Sequence, residues 1–198
     1  MNSVIRPRRS VLYMPGINER ALEKAKSIPA DSLILDLEDS VAPDSKEAAR
    51  ALVCERVAAG GYGSREIIIR INGLDSEWGE ADLEAAARTG ADGILVPKVN
   101  SADEILDAAE RRKEAGGAAS QQVWAMIETP LGVLNAQQIG ESAAEANLTC
   151  LVLGTNDLLK ETRAQFVPER APVLAWLSTA VIAARAYGLD VIDGVYNN

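Results

Sequence analysis

The segment "LILDLEDSV", Leu33 to Val41, closes an apolar run with three carboxylates in four positions: Asp36, Glu38 and Asp39. Like charges this close repel and resist leaving water, so they must be neutralised, protonated or bound to a cation. Other apolar runs also end in polar groups. Arg70 and Asn72 follow "EIII", Lys98 follows "GILVP", and Glu128-Thr129-Pro130 follows "VWAMI". Gly154-Thr155-Asn156-Asp157 follows "CLVL", and Asp193-Gly194 follows "LDVI".

These residue types define a limited chemistry. Oxygen-only ligation, without imidazole or thiolate, suits Mg2+, with Mn2+ as the alternative, rather than zinc. Magnesium takes one or two protein carboxylates and keeps other positions for water or substrate oxygens. Glu128 and Asp157, which end neighbouring runs, are the best metal pair. One such carboxylate alone is as readily a helix cap or an ion-pair partner; the series together favours a site. Arg70 can grip a carboxylate bidentately or stabilise an oxyanion, and can also pair with Asp36 or Glu38. Lys98 can neutralise the acidic rim or reach a substrate anion. Gly154, Thr155 and Asn156 join Arg70 and Lys98 as candidate substrate contacts, and Arg70, Glu38 and Asp36 are the candidate catalytic residues. Period-2 alternation puts Asp36 and Glu38 on one face, to hold Arg70 or metal-bound waters, and Asp39 on the other, where it would cap the next segment.

The elements that position these groups alternate along the chain. Strand-like runs start near Ser10, Ser32, Glu66, Gly93, Val123, Cys150 and Leu189. Helix-like stretches run over Asn18 to Lys26, Ser45 to Val57, Glu80 to Thr89, Ser101 to Glu114 and Pro172 to Tyr187. Asn18 and Ser101 can cap helices, Ser101 with Glu104 at capping-box spacing, while Gly90, Gly140 and Gly188 suit left-handed helix ends. Apolar runs without alternation are those of parallel strands covered on both faces. "MPGINER" does not match the G-x-G-x-x-G turn of a doubly wound sheet. The pattern predicts a (β/α)8 TIM barrel forming a single domain over residues 1–198. It covers seven strands and lacks the C-terminal strand and segment. The polar groups would then stand at the strands' C-terminal ends, where this fold gathers its catalytic residues. The strand beginnings show no comparable series.

Composition narrows the classes further. The 198 residues carry a net charge of −9, which argues against nucleic acid or an anionic membrane surface as partner. There is no histidine, so triads and dyads that need one are excluded within this chain. Cys54 and Cys150 have no metal or redox spacing and read as buried free thiols in a reducing cytoplasm. Arg6, Arg8 and Arg9 precede too short an apolar run for a signal peptide; Arg8 and Arg9 could meet a phosphate group or be solvated. A cytoplasmic location is expected.

Taken in order, "RRSVLYMPGINERALEKA", "LILDLEDSVAPDSKEAAR", "IIIRING", "GILVPKV", "AMIETPLGVLNAQQI", "LVLGTNDL" and "VIDGVYN" resemble the citrate lyase β-subunit-like group of the HpcH/HpaI aldolase superfamily. The resemblance runs from Arg8 to Asn197. It implies a TIM barrel that binds Mg2+ through Glu128 and Asp157, with Arg70 contacting the substrate carbonyl and carboxylate. It also implies a carbon–carbon lyase acting on a 3-hydroxyacyl thioester such as citryl-, malyl- or citramalyl-CoA. The products would be an acyl thioester, on coenzyme A or an acyl carrier protein, and a 2-oxo acid. Relatives of this kind assemble as trimers or hexamers, and a further C-terminal segment completes their site with an acidic residue. The alternatives are an aldolase acting on free 2-oxo or hydroxy acids without CoA, and a non-catalytic subunit of a larger lyase complex.

Overall fold

All seven expected strands form in the computed structural model, which describes residues 6–195. They are β1 (Val11–Pro15), β2 (Ser32–Asp36), β3 (Glu66–Arg70), β4 (Gly93–Val96), β5 (Gln122–Ile127), β6 (Leu148–Leu153) and β7 (Asp190–Ile192). They lie side by side in chain order, each pair parallel, and curl into an open barrel. Among the described residues β1 and β7 do not pair. The last residues of "VIDGVYN", Tyr196 and Asn197, lie outside the described residues.

Helices α1 (Glu19–Ala25), α2 (Lys46–Ala59), α3 (Gly79–Ala87) and α4 (Ala102–Glu114) follow the first four strands. After β5 the chain makes three short helices, α5 (Pro130–Leu134), α6 (Ala136–Glu141) and α7 (Ala143–Ala146). Helices α8 (Thr155–Thr162) and α9 (Leu174–Ala186) follow β6. The Asn18 side chain caps α1 by accepting from Ala21 N, and Ser101 caps α4 by accepting from Glu104 N. Glu104 returns its carboxylate to Asn100 N at 2.8 Å, one residue before the capping-box donor.

The sequence pattern does not predict α5 to α8, because segments of four to eight residues are too short to display a 3.6-residue period. Two of the three expected glycine caps also differ. Gly188 is left-handed, with φ +72°, whereas Gly90 and Gly140 are not. Gly140 lies inside α6, and a Cβ there would come within 2.6 Å of the Tyr187 ring. Its role is close packing against the end of α9. The left-handed helix end nearby belongs to Asn147, after α7.

Period-2 alternation sorts the strand residues into two cores. Leu33, Leu35, Ile67, Ile69, Ile94, Val96, Ala125, Ile127, Leu151 and Leu153 face the helices, while Ile34, Ile68, Leu95, Trp124, Met126, Cys150 and Val152 fill the barrel. The strands look continuously apolar because both faces are covered. Along the inward face, however, polar tiers bracket the apolar one. Inward residues read Ser32, Ile34, Asp36 on β2 and Glu66, Ile68, Arg70 on β3. The same series on β5 is Gln122, Trp124, Met126 and then Glu128 just beyond the strand.

The lower tier corrects the expectation that the strand beginnings carry no polar series. Arg8 sits there, 9% exposed at its side chain. It donates to both oxygens of the fully buried Glu66 at 2.7 Å and to Gln122 Oε1 at 3.2 Å. Its other guanidinium nitrogen pairs with Asp190, and the group lies 5.0 Å from the Trp124 ring. One side chain from before β1 thus ties β3, β5 and β7 across the barrel floor. Ser32 Oγ completes the cluster, donating to Glu66 at 2.7 Å. Arg8 is therefore a structural clasp rather than an exposed phosphate ligand, whereas Arg9 stays exposed on Asp31.

Removing one partner from a buried ion pair leaves an uncompensated charge, at a cost of about 3 kcal/mol. Arg8→Met is expected to lose that much in urea unfolding. The double variant Arg8→Met/Glu66→Gln should recover part of it, and Arg9→Met should leave the midpoint nearly unchanged.

Candidate active site

The upper tier gathers at the strand ends. Asp36 and Arg70 are register partners across β2 and β3, so their inward side chains are neighbours by construction. Arg70 Nε and Nη2 donate to the two Asp36 oxygens at 2.7 and 2.8 Å. Asp36 also accepts from Glu38 N at 2.9 Å and Ser40 N at 3.1 Å, which folds the loop after β2 around its carboxylate. Glu38 Oε2 lies 2.9 Å from Arg70 Nη1, and its Oε1 pairs with the Lys98 ammonium. Asp36 and Glu38 both hold Arg70. Asp39 does not point away as strand alternation predicts. β2 stops at Asp36, the chain turns, and Asp39 Oδ2 comes within 3.3 Å of Arg70 Nη1. The turn is capped by Asp36 rather than by Asp39.

Electrostatics follow from this clustering. Burial opposes the Arg70 charge, yet the Asp36 hydrogen bonds and the nearby carboxylates hold its pKa above the ordinary value. Burial alone would raise the Asp36 pKa; the Arg70 contacts outweigh it and hold the carboxyl below its usual range. Glu38 is pushed up, chiefly by burial, against the pull of Arg70 and Lys98.

Glu128 is different. It is fully buried just past β5; its Oε1 accepts from Lys98 N at 2.8 Å, and its Oε2 is buried with no hydrogen-bond partner. Burial first, then the Glu38 charge and more weakly that of Asp157, push its pKa up to about 8. Lys98 adopts a left-handed backbone, φ +51°, uncommon for a residue with a side chain, and its N–H is the one that meets Glu128. Gly154 gives the carboxylate room: a Cβ there would stand 2.6 Å from Glu128 Oε2.

A cavity of about 340 Å³ opens at this rim. It is lined by Arg70, Asp36, Asp39, Gly154, Thr155, Asn156 and Asp157, and also by Tyr13, Ser40, Met126 and Asp193. Asp157 stands half-buried in the first turn of α8. Gly194 lets the end of β7 close on Thr155, since a Cβ there would meet Thr155 Cγ2 at 2.8 Å. The structure thus brings together Arg70, Asp36, Gly154, Thr155, Asn156 and Asp157, with Glu128 directly behind Gly154. Lys98 lies outside this cavity, on an adjoining groove lined by Leu74, Pro97 and Pro130, with its ammonium on Glu38. Sequence reasoning does not single out Tyr13, Ser40 or Met126. Tyr13 and Met126 read as core residues there, and only the inward period of β1 and β5 could place them near Arg70.

The donor set suits a hard divalent cation. It offers one buried oxygen with no partner, a half-buried second carboxylate and a cavity with room for water and substrate. No group of three or more His, Cys, Asp or Glu side chains fit for a metal occurs among the described residues. No described helix is long and apolar enough to cross a membrane.

A carboxyl raised from 4.5 to about 8 holds its proton in the folded chain where the unfolded chain has lost it. Its contribution to stability is full below pH 4.5 and is lost as pH rises through 8. In chelator, stability should therefore fall between about pH 5 and 8. Glu128→Gln should remove that component, unfolding at about pH 8 with an advantage on the order of 3 kcal/mol over the parent and little difference at about pH 4. Paired urea titrations at the two pH values measure it, and the difference between proteins cancels the same-sign contribution of Glu38.

Comparison with known proteins places the chain among relatives of known family. A family model described as HpcH/HpaI aldolase/citrate lyase matches residues 9–198. The (3S)-malyl-CoA thioesterase of Cereibacter sphaeroides (strain ATCC 17029 / ATH 2.4.9) is 49% identical over 191 residues, 96% of this chain and 64% of that protein. The citrate lyase subunit beta of Escherichia coli (strain K12) is 38% identical over 198 residues, 98% of this chain and 65% of that protein. The solved citrate lyase beta subunit of M. tuberculosis complexed with oxaloacetate and magnesium superposes with a TM-score of 0.78 at 27% identity, covering 96% of this chain and 81% of that one. The chain spans slightly less than two thirds of the length of these two curated relatives.

Proposed function

The chain belongs to the HpcH/HpaI aldolase/citrate lyase family, and from that premise we propose a magnesium-dependent carbon–carbon lyase acting on a 3-hydroxyacyl-CoA of the malyl or citryl type. The observation that carries this reading is the buried, unpartnered Glu128 Oε2 behind Gly154, which lines the same small cavity as Arg70. A cavity of about 340 Å³ suits a small 2-oxo acid, with the thioester arm extending out of the rim.

Glu128 and Asp157 would hold Mg2+, which when bound supplies Lewis acidity and a template for a hydroxyl and its neighbouring carboxylate. In the cleavage direction the 3-hydroxyl gives its proton to a general base and becomes the carbonyl of the 2-oxo acid. The carbon–carbon bond breaks, its electron pair passes to the thioester as an enolate, and the protonated base returns a proton to the enolate carbon to give the acyl thioester. Arg70 faces the developing alkoxide with its second Nη2 hydrogen, since Asp36 takes Nε and the other Nη2 hydrogen and Glu38 and Asp39 hold Nη1. Asp36, whose oxygens are committed, and Glu38, turned to Lys98, act by holding Arg70 in place. Gly154, Thr155 and Asn156 form the substrate wall, and Lys98 keeps the adjoining acidic rim neutral. A homo-oligomer, trimer or hexamer, is the assembly proposed, and light scattering measures it.

The 49% identity to a malyl-CoA thioesterase favours a second reading, hydrolysis of the thioester. One experiment separates the two. The chain is incubated with Mg2+ and a panel of 3-hydroxyacyl-CoAs, and released pyruvate, glyoxylate or oxaloacetate is measured beside free thiol. A lyase releases the oxo acid without free thiol; a hydrolase releases free thiol without the oxo acid. Glu128→Gln should depress turnover at least a hundredfold, and Arg70→Lys by about 10²-fold. Undiminished Mg2+-dependent turnover in Glu128→Gln would overturn the assignment. Calorimetric Mg2+ affinity should also rise with pH toward 8, as the Glu128 proton ceases to compete.

A further inference from the structure

Lys46 opens α2, a position where a cation is unfavourable against the helix dipole, yet its side chain is 5% exposed. It runs back under the loop after β2. Its ammonium donates to Leu37 O at 2.9 Å, Glu38 O at 2.7 Å and Asn72 Oδ1 at 2.7 Å, which uses all three N–H bonds. The Trp78 ring lies 5.3 Å from Nζ. The oxygens of this cage are themselves fixed. Asn72 Nδ2 donates to Leu37 O at 2.9 Å and to Asp82 Oδ2 at 2.6 Å, and Asn72 N reaches the same Asp82 oxygen at 3.0 Å. The fully buried Asp82 accepts from Arg50 Nε at 2.6 Å. A continuous polar chain therefore runs from α2 and α3 to the backbone of Glu38, whose side chain ends on Arg70 and Lys98.

We propose that Lys46 is a positioning residue of the site: its ammonium, caged by three oxygens, fixes the backbone of residues 37 and 38 and thereby aims Glu38 at Arg70 and Lys98. Loss of the cage frees the loop, Glu38 swings from Arg70, and the guanidinium loses one wall of its seat while keeping Asp36. The geometric part stands alone; its consequence for turnover rests on the lyase reading above.

The test uses the full chain with Lys46→Met, which keeps the length of the side chain and removes its donors. Solvent exchange of the Arg70 Nη1 hydrogens, the ones that face Glu38, read by ¹⁵N NMR, should accelerate at least tenfold. In the Mg2+-loaded protein kcat should fall at least tenfold while KM for the thioester moves less than about threefold, because misalignment acts on the transition state more than on binding. In Lys46→Ala, ethylammonium should restore part of the lost turnover and slow the Arg70 exchange again, and ethanol should do neither. A merely stabilising lysine would lower the melting temperature and leave exchange, kcat and rescue at parental values below it; that result overturns the proposal. If Lys46→Met does not fold cooperatively, Asn72→Ser, which removes one wall of the cage, is read by the same exchange experiment, and unchanged exchange there overturns it equally. If the parent itself shows no thioester turnover, the lyase reading fails, and the Arg70 exchange rate still decides the positioning role.

Discussion

The Asp36–Arg70 pair is the interaction on which the rim depends. It is set by register: β2 and β3 both end on the inward face at the same level, and the bidentate fork closes between them. With Arg70 held, the carboxylates that looked prohibitive become its seat. Asp36 takes the fork, Glu38 and Asp39 approach Nη1, and Lys98 and Lys46 neutralise what remains. A bidentate pair between two buried groups is costly to assemble and strongly directional once assembled. Here its direction matters, since it fixes which edge of the guanidinium is left for the cavity.

Against this cluster, in which Glu38 Oε2 rests on the Arg70 charge without a hydrogen bond, stands Glu128, just past β5. It has one backbone donor, and its second oxygen has no partner. A structure that satisfies Asp36 with four donors and leaves Glu128 with one has divided its carboxylates into two kinds of work. One kind holds a cation of the protein's own; the other, on the function proposed above, would hold a cation that arrives. The left-handed backbone of Lys98 and the missing side chain of Gly154 are local concessions made around that unpartnered oxygen.

Much of this can be read from the chain alone, and the physical reason is periodicity. The seven strands announce themselves because parallel strands buried on both faces are uninterrupted apolar runs, and each ends abruptly in the polar group that reaches the rim. Arg70, Glu128 and Asp157 are visible for that reason. The lower tier is not: Glu66 and Gln122 begin their strands where flanking loop residues are polar as well, and Arg8 looks like one more charge in a basic leader. Asp39 is misdirected when alternation is extended past the end of β2. Lys46 is invisible, since a lysine at a helix start reads as solvated until the cage around it is seen. Short helices such as α5 and α7 carry no full turn-to-turn pattern to detect.

The inward faces of β2, β3 and β5, polar below, apolar in the middle and polar above, have a consequence for how the protein can change. The two polar tiers are four residues apart on β2 and β3, roughly 13 Å, and six apart on β5, with Ile34, Ile68 and Trp124 between them. That middle layer is an insulator: its contact with Arg70 is the weak acceptor sulfur of Met126, 3.8 Å from Nη1, and separations of this size make mutational effects nearly additive. Substitutions that retune the rim for another substrate therefore draw little on the clasp that keeps the barrel curled. The lower tier is in effect a foundation that several different rims could share.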